Sequence, residues 1–228
     1  MNQDDQVKLR SGVAKLLFIA TRVRPDILLP VNYLCSRANK FNEDDYKKFI
    51  HILEYLNKDS ERGIILRRSE NLMINVYADA SFGCHKEDCF KSHSGLVIQV
   101  GNSTIYSKTS KQKIVTTSST EAELVCASDA IPIVYYIRDW LLEKNVEIIQ
   151  VNLMQDNLST IQLINNGNIN SLRSKHISIK YHAIREKVRN GEIKIQHCST
   201  DKMIADALTK PLHGQQFRNL KDKILGEE

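Results

Sequence analysis

Asp79, Glu123, Asp156 and Asp206 are the residues of this 228-residue chain whose type and setting could do chemistry. Asp79 ends the apolar run Leu72-Met-Ile-Asn-Val-Tyr-Ala-Asp, and Asp156 ends a second, Ile148-Ile-Gln-Val-Asn-Leu-Met-Gln-Asp. Glu123 lies early in a helix-like stretch opened by Ser118-Ser-Thr-Glu-Ala-Glu, and Asp206 sits in Met203-Ile-Ala-Asp-Ala-Leu-Thr-Lys. Acids at strand ends and helix starts, spread over roughly 130 residues, meet only if the fold gathers them. Once gathered they repel unless cations neutralise them, and hard oxygen ligands select Mg²⁺ or Mn²⁺. Two such ions can cut a phosphodiester. A lone aspartate is ordinarily a structural ion-pair partner; four in matching settings point to a metal-dependent nuclease.

Glu121 competes with Glu123 for that role. Ser118 and Glu121 have capping-box spacing, in which the glutamate returns to the Ser118 backbone N–H. The two glutamates stand about 200° apart around a helix, so only one faces the sheet. With Glu121 engaged at the cap, Glu123 is the expected ligand.

The positioning elements read as a mixed α/β sheet. Leu72 to Ala80 is a strand candidate, and Ser94 to Gly101 and Thr104 to Lys108 form a hairpin turning at Gly101-Asn102. Ser118 opens a helix that Pro132 interrupts, with a second helix through Val134, Ile137 and Leu141. Ile149, Val151 and Leu153 alternate as a strand, and a short helix runs to Asn166-Gly167. Ile177 to Val188 is helical, Ile193 and Ile195 mark a last strand, and a helix holding Asp206 closes at Pro211. Consecutive leading strands pair antiparallel.

The part before residue 71 reads as helices. Val13, Leu16, Leu17 and Ala20 share one face, Pro25-Asp26 introduces Ile27 to Leu34, and Asn42 caps a helix carrying Tyr46, Phe49, Ile50, Leu53 and Leu56. Ile64-Ile-Leu reads as a short strand. Asp4-Asp5 and Asp44-Asp45 lack the strand-hairpin context of a polymerase site; the second pair suits the first turn of a helix. The expected division is a helical segment 1–70, a catalytic domain 71–212 and a C-terminal tail 213–228.

Apolar content of 42% with 26% charge fits a soluble globular protein. No apolar run reaches bilayer length, and the start Met-Asn-Gln-Asp-Asp is unlike a signal peptide, so the expected setting is intracellular, cytoplasm or nucleus, without membrane contact. Five scattered cysteines argue against a disulfide framework. A net charge of +5 permits a nucleic-acid surface without requiring one. Lys108, Lys111 and Lys113 cluster before the Glu123 helix and are candidate phosphate contacts, with a plain solvated face as the alternative; Arg173 to Arg189 is a second basic stretch. Cys84-His85, Cys89 and His93 have a zinc-like composition, but their spacing fits no standard zinc pattern.

Tyr77-Ala-Asp-Ala-Ser, Lys111-Gln-Lys, Ser118-Ser-Thr-Glu-Ala-Glu-Leu, Gln155-Asp-Asn, Lys175-His-Ile-Ser-Ile-Lys-Tyr-His, Arg185-Glu-Lys-Val and Ala205-Asp-Ala-Leu-Thr-Lys-Pro resemble, in order and spacing, the ribonuclease H domain of copia-type retrotransposon polyproteins. Residues 9 to 70, with Leu9-Arg-Ser and Ala20-Thr-Arg-Val-Arg-Pro-Asp-Ile, resemble the segment joining reverse transcriptase to that domain. The resemblance implies a five-stranded ribonuclease H-like sheet preceded by a small helical extension. It implies two Mg²⁺ ions, replaceable by Mn²⁺, on Asp79, Glu123, Asp156 and Asp206. It also implies hydrolysis of the RNA strand of an RNA–DNA hybrid, and as partner a separate reverse transcriptase or a parent polyprotein. Family members carry a histidine shortly before the last acid. His197 stands in about that place, although His197-Cys-Ser departs from the His-Val-Pro often found there. The competing reading is a decayed or co-opted element that binds nucleic acid without cutting it.

Overall fold

Alternation along two strands decides which side of the sheet each acid faces. In the computed structural model, which describes residues 3–70, 72–166 and 175–227, β1 (Met73–His85), β2 (Lys91–Val100), β3 (Ser103–Lys111), β4 (Gln150–Gln155) and β5 (Lys194–His197) form one sheet. Its order is β3-β2-β1-β4-β5. β2 pairs antiparallel with β1 and β3, whereas β4 runs parallel to β1 and β5. This is the expected mixed five-stranded sheet. The Gly101-Asn102 turn joins β2 to β3, with Gly101 at a φ of +59° that favours glycine.

Ile74, Val76 and Ala78 of β1, Leu96 and Ile98 of β2, and Val151 and Leu153 of β4 point to one face. That face is covered by α4 (Ser119–Glu143), α5 (Leu158–Asn166) and α6 (Lys175–Arg189), whose Leu124, Ile164, Ile177, Tyr181 and Ile184 complete one core. The intervening residues Tyr77 and Val97 face the other way, into a second core. There they meet Leu9, Val13, Leu16 and Ala20 of α1 (Gln3–Arg22), Leu28, Val31 and Leu34 of α2 (Leu28–Ser36), and Ile52 of α3 (Glu43–Lys58). Leu220 and Ile224 of α7 (Gly214–Leu225) join the same core, as do Ile204, Ala207 and Leu208 of the short 3-10 helix Ile204–Leu208. Residues 213–228, read as a tail, thus hold a helix whose apolar stripe is buried.

Several local expectations change. Pro132 does not divide α4, which runs unbroken from Ser119 to Glu143. Burial of Ala127, Ala130 and Val134 on both sides of the proline holds the helix to the sheet despite the missing N–H. Ile64-Ile-Leu forms no strand; instead the Ile64 N–H bonds to Val23 O and the Ile65 N–H to Leu225 O, tying this segment to α1 and α7. Asn42 does cap α3 through a capping box with Asp45, but Tyr46 and Leu53 are exposed. Phe49 and Leu56 do pack on the second core, and the fully buried positions of the helix are Asp45, fixed by Arg37, and Ile52. Asp206 sits on a 3-10 turn rather than an α-helix. Gly167 and Arg173 lie outside the described residues.

Candidate active site

Asp79 and Asp156 are brought side by side by the parallel β1/β4 register, in which Tyr77 pairs with Met154 two residues before each. Alternation then puts both acids on the Tyr77 face, opposite Ala78 and Leu153. Asp206 descends onto the same face from its 3-10 helix, which packs against β2. One carboxylate oxygen from each of Asp79, Asp156 and Asp206 lies within 4.8 Å of the others. Asp79 and Asp206 are 1% exposed, and Asp156 is half-buried.

The hydrogen-bond partners are few for so much charge. Thr209 Oγ1 donates to Asp79 Oδ2, and Thr200 Oγ1 donates to Asp156 Oδ2 at 3.3 Å. Lys210 Nζ stands 2.9 Å from Asp206 Oδ1 and 3.6 Å from Asp79 Oδ2. Burial, and then the neighbouring Asp79, push Asp206 up to about 7, with Lys210 opposing. The same two causes raise Asp156. Glu123 is held well above the usual carboxylate range, first by burial and then by Asp79. Burial, more than the neighbouring acid, holds these carboxyls toward their neutral forms, and Lys210 offsets it only in part for Asp206 and Asp156.

Glu123 approaches from the other side. α4 covers the opposite face of the sheet, and its first turns reach Ala80 within β1 and Gln155 at the end of β4. Glu123 Oε1 accepts the Ala80 N–H at 3.1 Å, and Oε2 accepts from Gln155 Nε2 at 3.4 Å. Its carboxylate therefore lies behind Asp79, outside the 4.8 Å group of three. Glu121 does turn away as the spacing required, but its target differs. Its Oε2 accepts from both the N–H and the hydroxyl of Thr117, at 2.7 and 2.8 Å, while Ser118 Oγ caps the Glu121 N–H.

His197 is exposed at the end of β5, paired in register with Gln155 next to Asp156. The three lysines do not share one face. Lys108 falls on the side of β3 with Tyr106, which packs on the first core, while Lys111 falls on the side of the buried Thr109. Lys111 is ion-paired with Asp88, and Lys113 is exposed beyond the strand. The cysteine and histidine stretch gathers no metal set either. Cys84 and Cys89 are exposed, and both nitrogens of His93 are engaged, Nδ1 with His85 Nε2 at 3.0 Å and Nε2 with Thr109 Oγ1 at 2.5 Å. Among the described residues only the three aspartates form such a group.

Sequence reading missed Gln155, Thr209 and Lys210 as parts of the site. The spacing Asp206-x-x-Thr209-Lys210 was a usable signal, since residues three and four apart meet on a turn of helix. An all-oxygen donor set with unbalanced negative charge fits a hard divalent cation, and the absence of nitrogen or sulfur donors from it disfavours zinc.

No protein-family model matches the chain. It is 33% identical over 221 residues to the retrovirus-related Pol polyprotein from transposon RE1 of Arabidopsis thaliana, covering 96% of the chain. The chain is homologous to one segment of retrotransposon Pol polyproteins. It is 31% identical to the transposon RE2 Pol polyprotein of the same plant and 25% identical to the Ty1-ER2 Gag-Pol polyprotein of Saccharomyces cerevisiae. It spans 15% of the length of the two plant Pol polyproteins. Among solved structures it is similar to a foamy viral protease-reverse transcriptase in complex with double-stranded DNA, with a TM-score of 0.48 and 15% identity over 84% of this chain and 32% of that one. It is also similar to LC11-RNase H1, isolated from compost, with a TM-score of 0.45 and 17% identity over 60% of this chain and 91% of that one.

Proposed function

We propose that this Pol segment is a metal-dependent ribonuclease that hydrolyses the RNA strand of an RNA–DNA hybrid. The approach of Asp79, Asp156 and Asp206 to within 4.8 Å, from three segments remote in sequence, carries this reading. The motif resemblance supplies the substrate class. Asp79, Asp156 and Asp206 would hold Mg²⁺ or Mn²⁺, with Glu123 completing a two-ion set from behind Asp79. Bound there, the ions would supply a hydroxide at neutral pH and offset charge on the leaving oxygen.

The chain's own groups do the rest. Thr209 fixes the Asp79 carboxylate and Thr200 supports Asp156. His197 would carry a proton to or from solvent, as imidazole suits neutral pH. Lys108 and Lys113 would meet phosphates, with Lys111 contributing less while paired to Asp88. Residues 71–212 are the proposed nuclease domain, working beside a reverse transcriptase or within a parent polyprotein. An intracellular setting agrees with the finding that no helix of the described residues is long and apolar enough to cross a membrane.

The test is a labelled hybrid incubated with the purified chain and Mg²⁺ or Mn²⁺. The RNA strand should be cut and duplex DNA spared, because 2′-hydroxyls line the shallow groove of a hybrid. Retention of the hybrid without cleavage would favour a binding remnant, and activity undiminished by a chelator would remove the metal. Primer extension is not expected. Asp4-Asp5 and Asp44-Asp45 lie in the first turns of α1 and α3, and Asp45 is fixed by Arg37.

A further inference from the structure

The candidate site already contains a cation. The side chains of Asp79 and Asp206 are 2% exposed, whereas that of Lys210, whose ammonium touches both, is 40% exposed. The lysine therefore enters from the rim. Backbone geometry aims it: the N–H groups of Thr209 and Lys210 both bond to the Asp206 carbonyl, at 3.1 and 3.0 Å. That turn folds residues 209 and 210 back over Asp206, so that Thr209 anchors Asp79 and Lys210 bridges Asp79 to Asp206.

We propose that Lys210 is an internal counterion which a divalent metal must displace. The proposal rests on the reading of the three aspartates as metal ligands. A ligated Mg²⁺ sits roughly 2.0–2.1 Å from a carboxylate oxygen. An ammonium kept 2.9 Å from Asp206 Oδ1 would then place two like charges almost in contact. Both cannot occupy the pair of carboxylates. Lysine suits an exchangeable role better than arginine, because its compact charge on a flexible stem is readily rehydrated once it swings outward. Before metal binds, the same ammonium limits the repulsion between Asp79 and Asp206. Its removal must therefore act with opposite signs on metal affinity and on metal-free stability. A lysine serving only as a surface contact, or only as a phosphate anchor, would do neither.

Mn²⁺ titration followed by the electron paramagnetic resonance signal of the free ion reads affinity without any cleavage. Thermal melts with and without Mn²⁺ read the second quantity. Lys210→Met should bind Mn²⁺ at least about tenfold more tightly than wild type, a repulsion well within reach at this separation. Its metal-free melting temperature should fall, and the rise on adding Mn²⁺ should grow. Lys210→Gln should behave alike and serves if the methionine variant folds poorly, while Lys210→Arg, which keeps the charge but yields its place less readily, should bind Mn²⁺ no more tightly than wild type. If wild type binds Mn²⁺, Asp79→Asn abolishes that binding, and Lys210→Met binds with unchanged or weaker affinity, the counterion proposal is overturned and the metal site survives. If wild type binds no Mn²⁺, the site reading falls and takes the counterion with it.

Discussion

Thr209 Oγ1 donates its hydrogen bond to Asp79 Oδ2 across 130 residues of sequence. The last acidic segment thereby fixes the carboxylate of the first strand, and Asp206, three residues earlier, is placed in the same act. A glycine makes the approach possible. A Cβ at Gly95 of β2 would stand 2.6 Å from Thr209 Cγ2 and 2.8 Å from the Ala205 carbonyl oxygen.

Thr209→Val keeps the volume but removes the hydroxyl, leaving Asp79 without its neutral donor. Loss of a hydrogen bond to a charged group predicts destabilisation of about 1.5–3 kcal/mol. Cleavage should fall at least about tenfold with hybrid binding retained, since a misoriented ligand disturbs the reaction more than the surface. Thr209→Ser should restore most of both. Parallel melts and single-turnover rates decide; an active valine variant would remove Thr209 from the site.

Gly95→Ala tests the docking of the segment rather than its chemistry. The clash with Thr209 Cγ2 could be eased by a side-chain shift, but Ala205 O is backbone and must move with the 3-10 helix. Overpacking of this kind costs roughly 1–3 kcal/mol. Cleavage should drop in step with a lowered melting temperature, and Mn²⁺ affinity should weaken because Asp206 is carried away. Unchanged metal affinity would mean the helix absorbs the methyl elsewhere.

Two buried groups bend the pH dependence of stability in opposite directions. Asp206 rises from 3.8 to about 7, through burial first and Asp79 second, so the folded metal-free protein holds a proton that the unfolded chain releases. Its contribution is full below 3.8 and is lost as pH rises through about 7. His93 falls from 6.5 to about 4, through burial first and then His85 and Lys111. Its contribution is full above 6.5 and is lost as pH falls toward 4. In chelator, Asp206→Asn should therefore gain melting temperature over wild type at pH 8 and gain little near pH 4. His93→Gln should flatten the acid limb instead. A constant offset for Asp206→Asn across this range would mean its carboxyl is not shifted by the fold.

Removing residues 1–70 should not release a working nuclease. α1, α2 and α3 cover Val97 of the sheet and Ile204, Ala207 and Leu208 beside Asp206. Each large apolar side chain so exposed forfeits about 1.5–3 kcal/mol. Arg62, which pairs with Asp222 and Glu227, would be lost as well. The shortened chain is expected to aggregate or to melt without cooperativity, measured by circular dichroism and size exclusion beside the full chain. A cooperative, Mn²⁺-binding fragment would establish residues 71–228 as self-sufficient.

Strands were legible because period-two alternation fixes both a strand and the side on which each residue emerges. The side taken by Asp79 and Asp156 follows from that rule, but the end of the first strand does not: β1 runs past Asp79 to His85, whereas β4 does stop at Gln155. Glu123 was legible as a buried acid near them, since its angle from Glu121 is set by helix geometry. Its distance from the metal group was not, because that depends on which face α4 covers, and sequence spacing carries no such information. Pro132 misled for a related reason. Propensity argues for a break, while burial of Ala127, Ala130 and Val134 against the sheet decides for continuity. Asp206 was found through its motif, but its partners Thr209 and Lys210 depend on a backbone turn invisible to hydrophobic periodicity. The second core was also hidden, since amphipathic helices show that a stripe is buried without showing against what.

Glu123 and Glu121 can be separated by charge-neutral substitution. Glu123→Gln preserves an acceptor for the Ala80 N–H but turns an amide toward Gln155 Nε2, and it removes a charge that burial and Asp79 already disfavour. The metal-free protein should be as stable as wild type, or more so, at pH 8, while cleavage is abolished and hybrid binding stays. Glu121 lies on the far side of the helix start, where one oxygen accepts both Thr117 bonds. Glutamine can present the same single oxygen, so Glu121→Gln should keep most activity and lose less than about 1 kcal/mol. Glu121→Ala frees the Thr117 donors, which water can reach because Thr117 is exposed, and should cost about 1 kcal/mol with cleavage reduced only as far as folding is. Melting curves at pH 8 with cleavage rates corrected for folded fraction compare the three. Activity lost in Glu121→Gln and kept in Glu123→Gln would move the ligand assignment to the opposite side of α4.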